Sequence, residues 1–229
     1  MAGCTTVIDY VATGAMMQGI GTLIGAGAVI WAAFKAAATW KEQKRAERRL
    51  EMAEKILTAT HKGRSALGYV RGVMMFAHEL NGAEEKLKAD LAWDDQTEGR
   101  KKRLITRQAY YDRLNKTRAE QDLLVDCLPM ARALFSEKLE EAISELRHQF
   151  WTVQVYVDAY ADDEHGEDQE FTKKIRRAMY DVSAPGEDKN EISDAIEQAV
   201  ATIEAICVPA LRLDPPGKPE AIVPAAQAE

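Results

Sequence analysis

The sequence predicts an all-α protein in which one N-terminal transmembrane helix continues into an antiparallel helical bundle in the cytoplasm. Apolar residues recur at steps of three and four along most of the 229-residue chain, which is the spacing of one helix face. No segment alternates apolar and polar residues as a half-buried strand would. The first long segment, Tyr10–Phe34, has no charged side chain, although 29% of all residues are charged.

The uncharged segment Tyr10–Phe34 is long enough to cross a membrane. As a helix that rises about 1.5 Å per residue it spans about 37 Å, whereas the hydrocarbon core of a bilayer is about 30 Å thick. Tyr10, Trp31 and Trp40 stand near its two ends, where aromatic rings favour the headgroup region. We therefore predict a transmembrane helix over residues 10–38. A cleaved signal peptide and a buried helix of a water-soluble domain are the alternatives.

Basic residues follow this segment closely, and none precedes it. They are Lys35, Lys41, Lys44, Arg45, Arg48 and Arg49. The positive-inside tendency therefore places the short N-terminus outside and the rest of the chain in the cytoplasm, at the inner or cytoplasmic membrane. The same side chains offer positive charge to anionic lipid headgroups, so membrane lipids are predicted partners.

Small residues form a seam along the predicted transmembrane helix at steps of 4, 3, 4, 3 and 4. The seam consists of Gly14, Gln18, Gly21, Gly25, Ala28 and Ala32. Heptad spacing keeps one face toward a partner helix, small side chains allow the backbones to approach, and Gln18 offers an interhelical hydrogen bond. We predict self-association into a homo-oligomer. A different membrane protein as the partner, and a chance pattern of glycine and alanine, are the alternatives.

The chain divides into five predicted segments. Residues 1–9 are a short extracytoplasmic N-terminus, 10–38 the transmembrane helix, and 39–62 a juxtamembrane helical stalk with mixed charges. Residues 63–213 form the cytoplasmic bundle, in which Gly68 and Gly72 are expected to allow close helix packing. Residues 214–229 are rich in proline and alanine without periodicity, and we predict that this tail is disordered.

Within the bundle, the residues from Leu104 to Leu128 are expected to be helical and Pro129 to kink the chain. A long helix follows, and its apolar residues recur over three heptads. They are Leu139, Ile143, Leu146, Phe150, Val153, Val157 and Tyr160. After a shorter helix marked by Phe171 and Met179, a last helix is expected to start near Asn190.

The sequence predicts no metal site and no cofactor. The four histidines are far apart and none stands in an H-E-x-x-H pattern or near a cysteine at zinc spacing. The acidic stretch Asp158–Glu170 lacks the ligand order of an EF-hand, so it is interpreted as a solvated loop, with a weak divalent-ion site or a surface for a cationic partner as alternatives. The glycine run "GIGTLIGAGA" has neither the dinucleotide-binding order nor a Walker lysine. Three widely spaced cysteines favour reduced thiols in the cytoplasm.

A second basic run lies away from the membrane segment, in "GRKKRLITR". It contains Arg100, Lys101, Lys102 and Arg103. Such density of positive charge can hold the phosphates of RNA or of anionic lipids. No aromatic residues are interleaved for base stacking, and the chain as a whole has a net charge of −7, so a solvated loop and helix start is the alternative.

Arg71 and His78, in "RGVMMFAH", are separated by six residues. The pair resembles the R-x(4 to 6)-H motif of HEPN-domain proteins, which are all-helical and often cleave RNA as dimers. The resemblance implies metal-independent RNA cleavage, with Arg71 and His78 of two protomers meeting across the dimer and the imidazole acting as acid or base. Gly72 follows the arginine where that family has a polar residue. The alternative is that both are ordinary polar positions on a packed helix.

The predicted layout resembles a second class of proteins, the small membrane accessory proteins of RNA-targeting CRISPR systems. The shared features are a short outward N-terminus, one membrane helix, and a compact helical domain with an arginine–histidine pair. The resemblance implies assembly in the membrane and its permeabilisation during antiviral defence.

These observations predict a single-span, self-associating membrane effector or accessory protein that forms a pore or perturbs the membrane in prokaryotic antiviral defence. It is expected to be non-enzymatic. Two alternatives are a membrane-tethered HEPN-like ribonuclease that uses Arg71 and His78, and a membrane scaffold that recruits a cytosolic protein. The predicted partners are a second copy of the chain and membrane lipids, with RNA or a cytosolic protein as further candidates.

Overall fold

The computed structural model describes the backbone of residues 10–163, 166, 168–181 and 190–212, and the side chains within these ranges from residue 31 onward. All regular elements of this part of the chain are α-helices, so the all-α prediction is confirmed. Their bounds are α1 Tyr10–Val70, α2 Ala77–Leu87, α3 Glu98–Lys116, α4 Arg118–Leu134, α5 Glu137–Asp162, α6 Gln169–Met179 and α7 Glu191–Leu211.

The chain divides into two compact units, Met1–Arg48 and Arg49–Glu229. Within the residues that the structure describes, no helix has both the length and the apolar character that crossing a membrane requires. The transmembrane helix predicted over residues 10–38 is therefore wrong. From Trp31, where the side chains of α1 are first described, Lys35 and Lys41 interrupt the apolar residues, and the surface of the helix up to Arg48 is exposed.

The second unit is a helical bundle arranged around α5, which packs against α3, α4, α6 and α7. The apolar heptad residues of α5 from Leu139 to Val157 are buried, as their spacing predicts, while Tyr160 is partly buried. Residues of the predicted stalk also contribute to this core: Ala53 and Ile56 are fully buried. The bundle is held mainly by this apolar burial, which contributes about 25 cal/mol per Å² of area removed from water.

Polar side chains set several helix starts by accepting hydrogen bonds from backbone N–H groups that no helical partner satisfies. Thr97 accepts from Arg100 N at the start of α3, and Ser136 accepts from Leu139 N at the start of α5. Asn190 accepts from Ser193 N, so the predicted start of the last helix near Asn190 is confirmed.

Two local expectations are corrected. The predicted helix Leu104–Leu128 is broken at Thr117, where α3 ends and α4 begins, and Pro129 lies inside α4. The close-packed glycine of α1 is Gly63, where an added Cβ would stand 3.0 Å from Leu124 Cδ1, whereas an added Cβ at Gly68 would have no atom within 4 Å. The tail 214–229 lies outside the described residues.

Candidate functional site

The candidate site is the short loop of residues 71–76 that joins α1 to α2. Its sequence, "RGVMMF", is the motif that the sequence analysis singles out. Two buried arginines bind the loop or its flanks. Arg71 lies at the end of α1, and Arg113 lies on α3. The chemistry of the site follows from what each guanidinium contacts.

The Arg71 side chain is almost completely buried, with 1% exposed. Its guanidinium donates to three backbone oxygens at the end of α6: Ala178 O at 3.0 Å, Arg177 O at 2.9 Å and Tyr180 O at 2.8 Å. The last carbonyls of a helix lack intrahelical partners and carry partial negative charge. Arg71 therefore donates to Ala178 O, and it shares Arg177 O and Tyr180 O with Asn190 Nδ2, which donates to the same two oxygens at 2.9 and 3.0 Å.

The same guanidinium also reaches the start of α7. It donates to Asn190 Oδ1 and Ser193 Oγ, and to Asp181 Oδ1 at 3.2 Å. Burial lowers the pKa of Arg71, and the Asp181 carboxylate partly offsets that effect. All three guanidinium nitrogens are engaged, which leaves no N–H free for a phosphate. Arg71 joins the end of α1 to α6 and α7.

His78 lies on the exposed surface of α2. Its ring stacks on Phe76, with ring centroids 5.7 Å apart. Because the Arg71 guanidinium is directed into the contact with α6 and α7, the two residues do not share a site within one chain. The geometry of the chain thus gives Arg71 a structural contact and leaves His78 at the surface.

A buried ion pair lies next to the loop. Arg113 donates to both carboxylate oxygens of Glu79, at 2.9 and 2.8 Å, and the two side chains are only 3% and 6% exposed. The hydrogen bond from Arg113 is the main cause that lowers the pKa of Glu79 to about 2, while the hydrogen bond to Glu79 raises the pKa of Arg113. This bidentate geometry is the strong form of the guanidinium–carboxylate contact.

The ion pair holds the loop backbone. Arg113 donates to the carbonyls of Gly72 at 2.8 Å and Met74 at 2.6 Å, and more weakly to that of Tyr69 at 3.4 Å. Glu79 accepts from Phe76 N at 2.9 Å. Charge-assisted bonds of this kind are stronger than neutral ones. The loop is therefore tied at several backbone atoms to two buried charges.

Several apolar side chains at this loop face solvent. Met74 is 74% exposed, Phe76 58%, Val73 53% and Tyr69, at the end of α1, 43%. We name these four residues the apolar loop surface. A contiguous apolar surface on a loop with a fixed backbone is characteristic of an interaction site.

Two open grooves adjoin the apolar loop surface. One, between α2 and α3, is lined by His78, Glu79 and Lys86 among others. The other, between α1 and the start of α4, is lined by Lys62, Tyr69 and Glu120 among others. Lys116 lines both grooves. The groove between α1 and the start of α4 meets the apolar loop surface at Tyr69.

The predicted basic site residues have several different environments. Lys41, Lys44, Arg45 and Arg48 are exposed on α1, and Lys44 pairs with Glu47 at 2.7 Å. Arg49 lies over the Phe135 ring, 5.1 Å from its centroid. None of these contacts identifies a lipid or nucleic-acid ligand.

The run from Arg100 to Arg103 lies against the C-terminus of α5. Arg100 donates to Ala161 O and to Asp162 Oδ1, and Arg103 donates to Asp163 O at 2.9 Å. Positive charge at a helix C-terminus is stabilising. Lys101 stands over the Trp93 ring and Lys102 is exposed. Part of this run is thus used for a contact inside the bundle.

The predicted seam falls mostly outside the described side chains. Five of its residues lie outside the described side chains: Gly14, Gln18, Gly21, Gly25 and Ala28. The sixth residue, Ala32, is described and exposed. Among the described residues, no group of three or more histidine, cysteine or acidic side chains is arranged to hold a metal ion.

Sequence reasoning missed Arg113 and Glu79. They are 34 residues apart, and neither stands in a motif that predicts their pairing. Comparison of the chain with protein-family models, curated proteins and solved structures gave no match.

Proposed function

We propose that the chain is a non-enzymatic binding protein whose helical bundle presents the apolar loop surface to a protein partner. The observation that carries this proposal is the buried Arg113–Glu79 pair, because its hydrogen bonds fix the backbone of a loop whose apolar side chains are exposed. The proposal keeps one part of the membrane-scaffold alternative, the recruitment of another protein, and makes no use of a membrane.

The chemistry of the loop agrees with recognition of a protein. Aromatic residues and methionine are enriched at protein interfaces, and methionine adapts to the shape of its partner. Met74 and Phe76 are the two most exposed of the four apolar residues. A surface that is ordered before binding loses less conformational entropy when the partner docks. A fixed apolar loop is therefore suited to binding.

The ribonuclease alternative is less favoured by the same geometry. It requires Arg71 to contact the phosphate or the reacting atoms, but the Arg71 guanidinium already donates to acceptors at α6 and α7. Moving Arg71 away would leave Ala178 O without its side-chain donor, which costs about 1–3 kcal/mol, and would break the other bonds of the buried guanidinium.

Site-specific photocrosslinking tests the proposal. A photoreactive amino acid at Met74 in the full chain, expressed in the cells that make the protein, is expected to form a covalent adduct with a second protein. The matched control is the same amino acid at Leu91, which is fully exposed but outside the apolar loop surface. An adduct at position 74 that Phe76→Asp abolishes supports the proposal. Equal adducts at both positions, or no protein adduct at position 74, contradict it.

Self-association is a second candidate function, favoured by exposed aromatic residues on α1. Trp31, Phe34 and Trp40 are each at least 60% exposed, and the heptad seam ends beside them at Ala32. Trp31 and Trp40 flank the seam on the helix surface and Phe34 lies on the opposite face, so a second copy of α1 packed along the seam would bring the small residues together and cover part of the first two rings. The predictions of membrane perturbation, pore formation and a role in antiviral defence stay predictions.

The mass of the full chain in mild detergent, measured by sedimentation equilibrium, tests self-association. A defined oligomer is expected, reduced to a monomer by Gly25→Ile. Trp151→Asp, on the exposed surface of α5, is the control and should leave the mass unchanged. A monomer for the unaltered chain would contradict this function.

A further inference from the structure

We infer that α1 carries a separate binding surface, which contacts the anionic headgroups of a lipid bilayer. It consists of Phe34, Lys41, Lys44, Arg45 and Arg48, and we name these five residues the cationic face. The inferred contact is with the surface of the bilayer and requires no helix that crosses it. The inference does not depend on the apolar loop surface and goes beyond the proposed function.

The cationic face follows one side of the helix. Successive residues of an α-helix are turned by about 100°, so residues three, four or seven positions apart lie on the same side. Phe34, Lys41, Arg45 and Arg48 recur at steps of 7, 4 and 3, and Lys44 stands three positions after Lys41. All five side chains are exposed. By the same geometry the cationic face lies opposite to the small-residue seam, which it leaves free for self-association.

Most of the positive charge of this face is available to a ligand. The acidic residues of the segment, Glu42 and Glu47, lie off the cationic face, one on each side. Lys44 pairs with Glu47 at 2.7 Å. Among the described residues, the other three cations of the face have no ion-pair partner. They can therefore contact phosphate groups without breaking a bond within the chain.

The charge of this segment is opposite in sign to that of the chain. Residues 31–48 contain five basic and two acidic side chains, a net charge of +3, whereas the whole chain has a net charge of −7. At physiological salt, charges more than about 8 Å away are largely screened. The side chains at the contact therefore determine the attraction, and a basic segment is attracted to an anionic bilayer.

Aromatic rings accompany the cations. Phe34 belongs to the cationic face, Trp31 and Trp40 flank it, and all three rings are exposed. The headgroup region of a bilayer favours aromatic rings, and interfacial helices combine such rings with lysine and arginine. The phosphates of a nucleic-acid duplex would pair with the cations but would leave the rings in water. An anionic bilayer matches both groups, so the composition of the face favours lipid.

Co-sedimentation of the full chain with sucrose-loaded vesicles tests the inference. The chain is expected to bind phosphatidylcholine–phosphatidylserine vesicles at least about tenfold more tightly than vesicles of phosphatidylcholine alone. Binding to the anionic vesicles should weaken as sodium chloride is added, because salt screens the contact between exposed charges.

Two double variants with the same change in net charge isolate the cationic face. Lys41→Gln with Arg45→Gln removes two cations from the face and should weaken binding to the anionic vesicles about thirtyfold. Lys62→Gln with Lys138→Gln alters two exposed positions outside the face and should change binding less than about twofold. Thermal unfolding of each variant verifies that the fold is retained.

Phe34→Ser isolates the aromatic part of the contact. The loss of this ring should weaken vesicle binding about tenfold. Phe76→Asp, on the apolar loop surface, is the control and should leave vesicle binding unchanged. The lipid contact and the proposed function are thereby tested separately.

Four results would overturn the inference. Absent binding, or equal binding to vesicles with and without phosphatidylserine, would remove the contact with anionic headgroups. Equal weakening by the two double variants would assign the effect to net charge rather than to the cationic face. Vesicle binding that Phe76→Asp abolishes would assign it to the apolar loop surface. Binding of an RNA duplex that Lys41→Gln with Arg45→Gln abolishes, without binding to vesicles, would assign the face to nucleic acid.

Discussion

The two buried arginines of this protein differ in what neutralises them. The Arg113 charge is matched by the equally buried Glu79. The Arg71 charge faces mainly backbone carbonyls, and its carboxylate partner among the described residues, Asp181, is about half exposed. The pKa of Arg113 is accordingly raised by its carboxylate, whereas burial lowers the pKa of Arg71.

The two arginines also differ in which part of the molecule they hold in place. Arg71 contacts the end of α6 and the start of α7, so its bonds connect elements of the bundle. Arg113 contacts the α1–α2 loop and the first turn of α2, so its bonds determine how the apolar loop surface is displayed. Loss of Arg71 should affect the whole fold, and loss of Arg113 should affect the loop as well as stability.

The largest effect is expected from Arg71→Met. The substitution removes every charge-assisted bond of the buried guanidinium and leaves Ala178 O without its side-chain donor, while Arg177 O and Tyr180 O keep Asn190 Nδ2. The free energy of unfolding should therefore fall by about 3–5 kcal/mol. Arg71→Lys keeps the charge but lacks the planar fork of donors, and should recover only part of the loss. Urea unfolding followed by circular dichroism measures both.

Arg64→Met is the control for Arg71. Arg64 lies on the same helix and is half exposed, with Glu197 3.9 Å away. Its replacement should change the free energy of unfolding by no more than about 0.5 kcal/mol. If Arg71→Met were equally mild, the network at the end of α6 would not contribute to stability.

The next effect concerns the coupling between Arg113 and Glu79. Each single substitution, Arg113→Met or Glu79→Met, leaves one buried charge unpaired, whereas the double variant leaves none. A double-mutant cycle by urea unfolding should therefore give a coupling of about 2–3 kcal/mol. Additive single effects would show that the ion pair does not hold the two elements together.

The pH dependence of stability reports the same ion pair. The pKa of Glu79 is about 2 in the folded protein against an ordinary 4.5, so its contribution is complete above pH 4.5 and is lost as the pH falls toward 2. The stability difference between the unaltered chain and Glu79→Gln should shrink by about 2 kcal/mol from pH 6 to pH 3. A constant difference would mean that the pKa of Glu79 is not lowered.

The sequence predicts the bundle better than it predicts the site. The buried face of α5 from Leu139 to Val157 can be predicted because burial follows the heptad period. The start of α7 can be predicted from Asn190. The break between α3 and α4 at Thr117 cannot be predicted from the sequence, because apolar residues recur on both sides of it. Pro129 is tolerated inside α4.

The site depends on contacts between residues that are distant in the sequence. The spacing between Arg71 and His78 makes Arg71 a candidate site residue. Its partners at α6 and α7, however, lie more than 100 residues away along the chain. Glu79 and Arg113 are single charged residues on two helices, and local pattern does not reveal that both become buried. Tertiary placement, rather than spacing, determines what these groups do.

The smallest expected effects come from two glycines of α1, and their signs should differ. Gly68→Ala meets no atom within 4 Å, so the lower entropy of the unfolded chain should stabilise the protein by about 0.4–1 kcal/mol. Gly63→Ala places its Cβ 3.0 Å from Leu124 Cδ1, and the cost of moving that buried side chain should exceed the same gain. Thermal and urea unfolding of the two variants compare them directly. Equal stabilisation by both would show that α1 and α4 can separate at Gly63 without loss, and that contacts elsewhere hold the end of α1 and its loop in place.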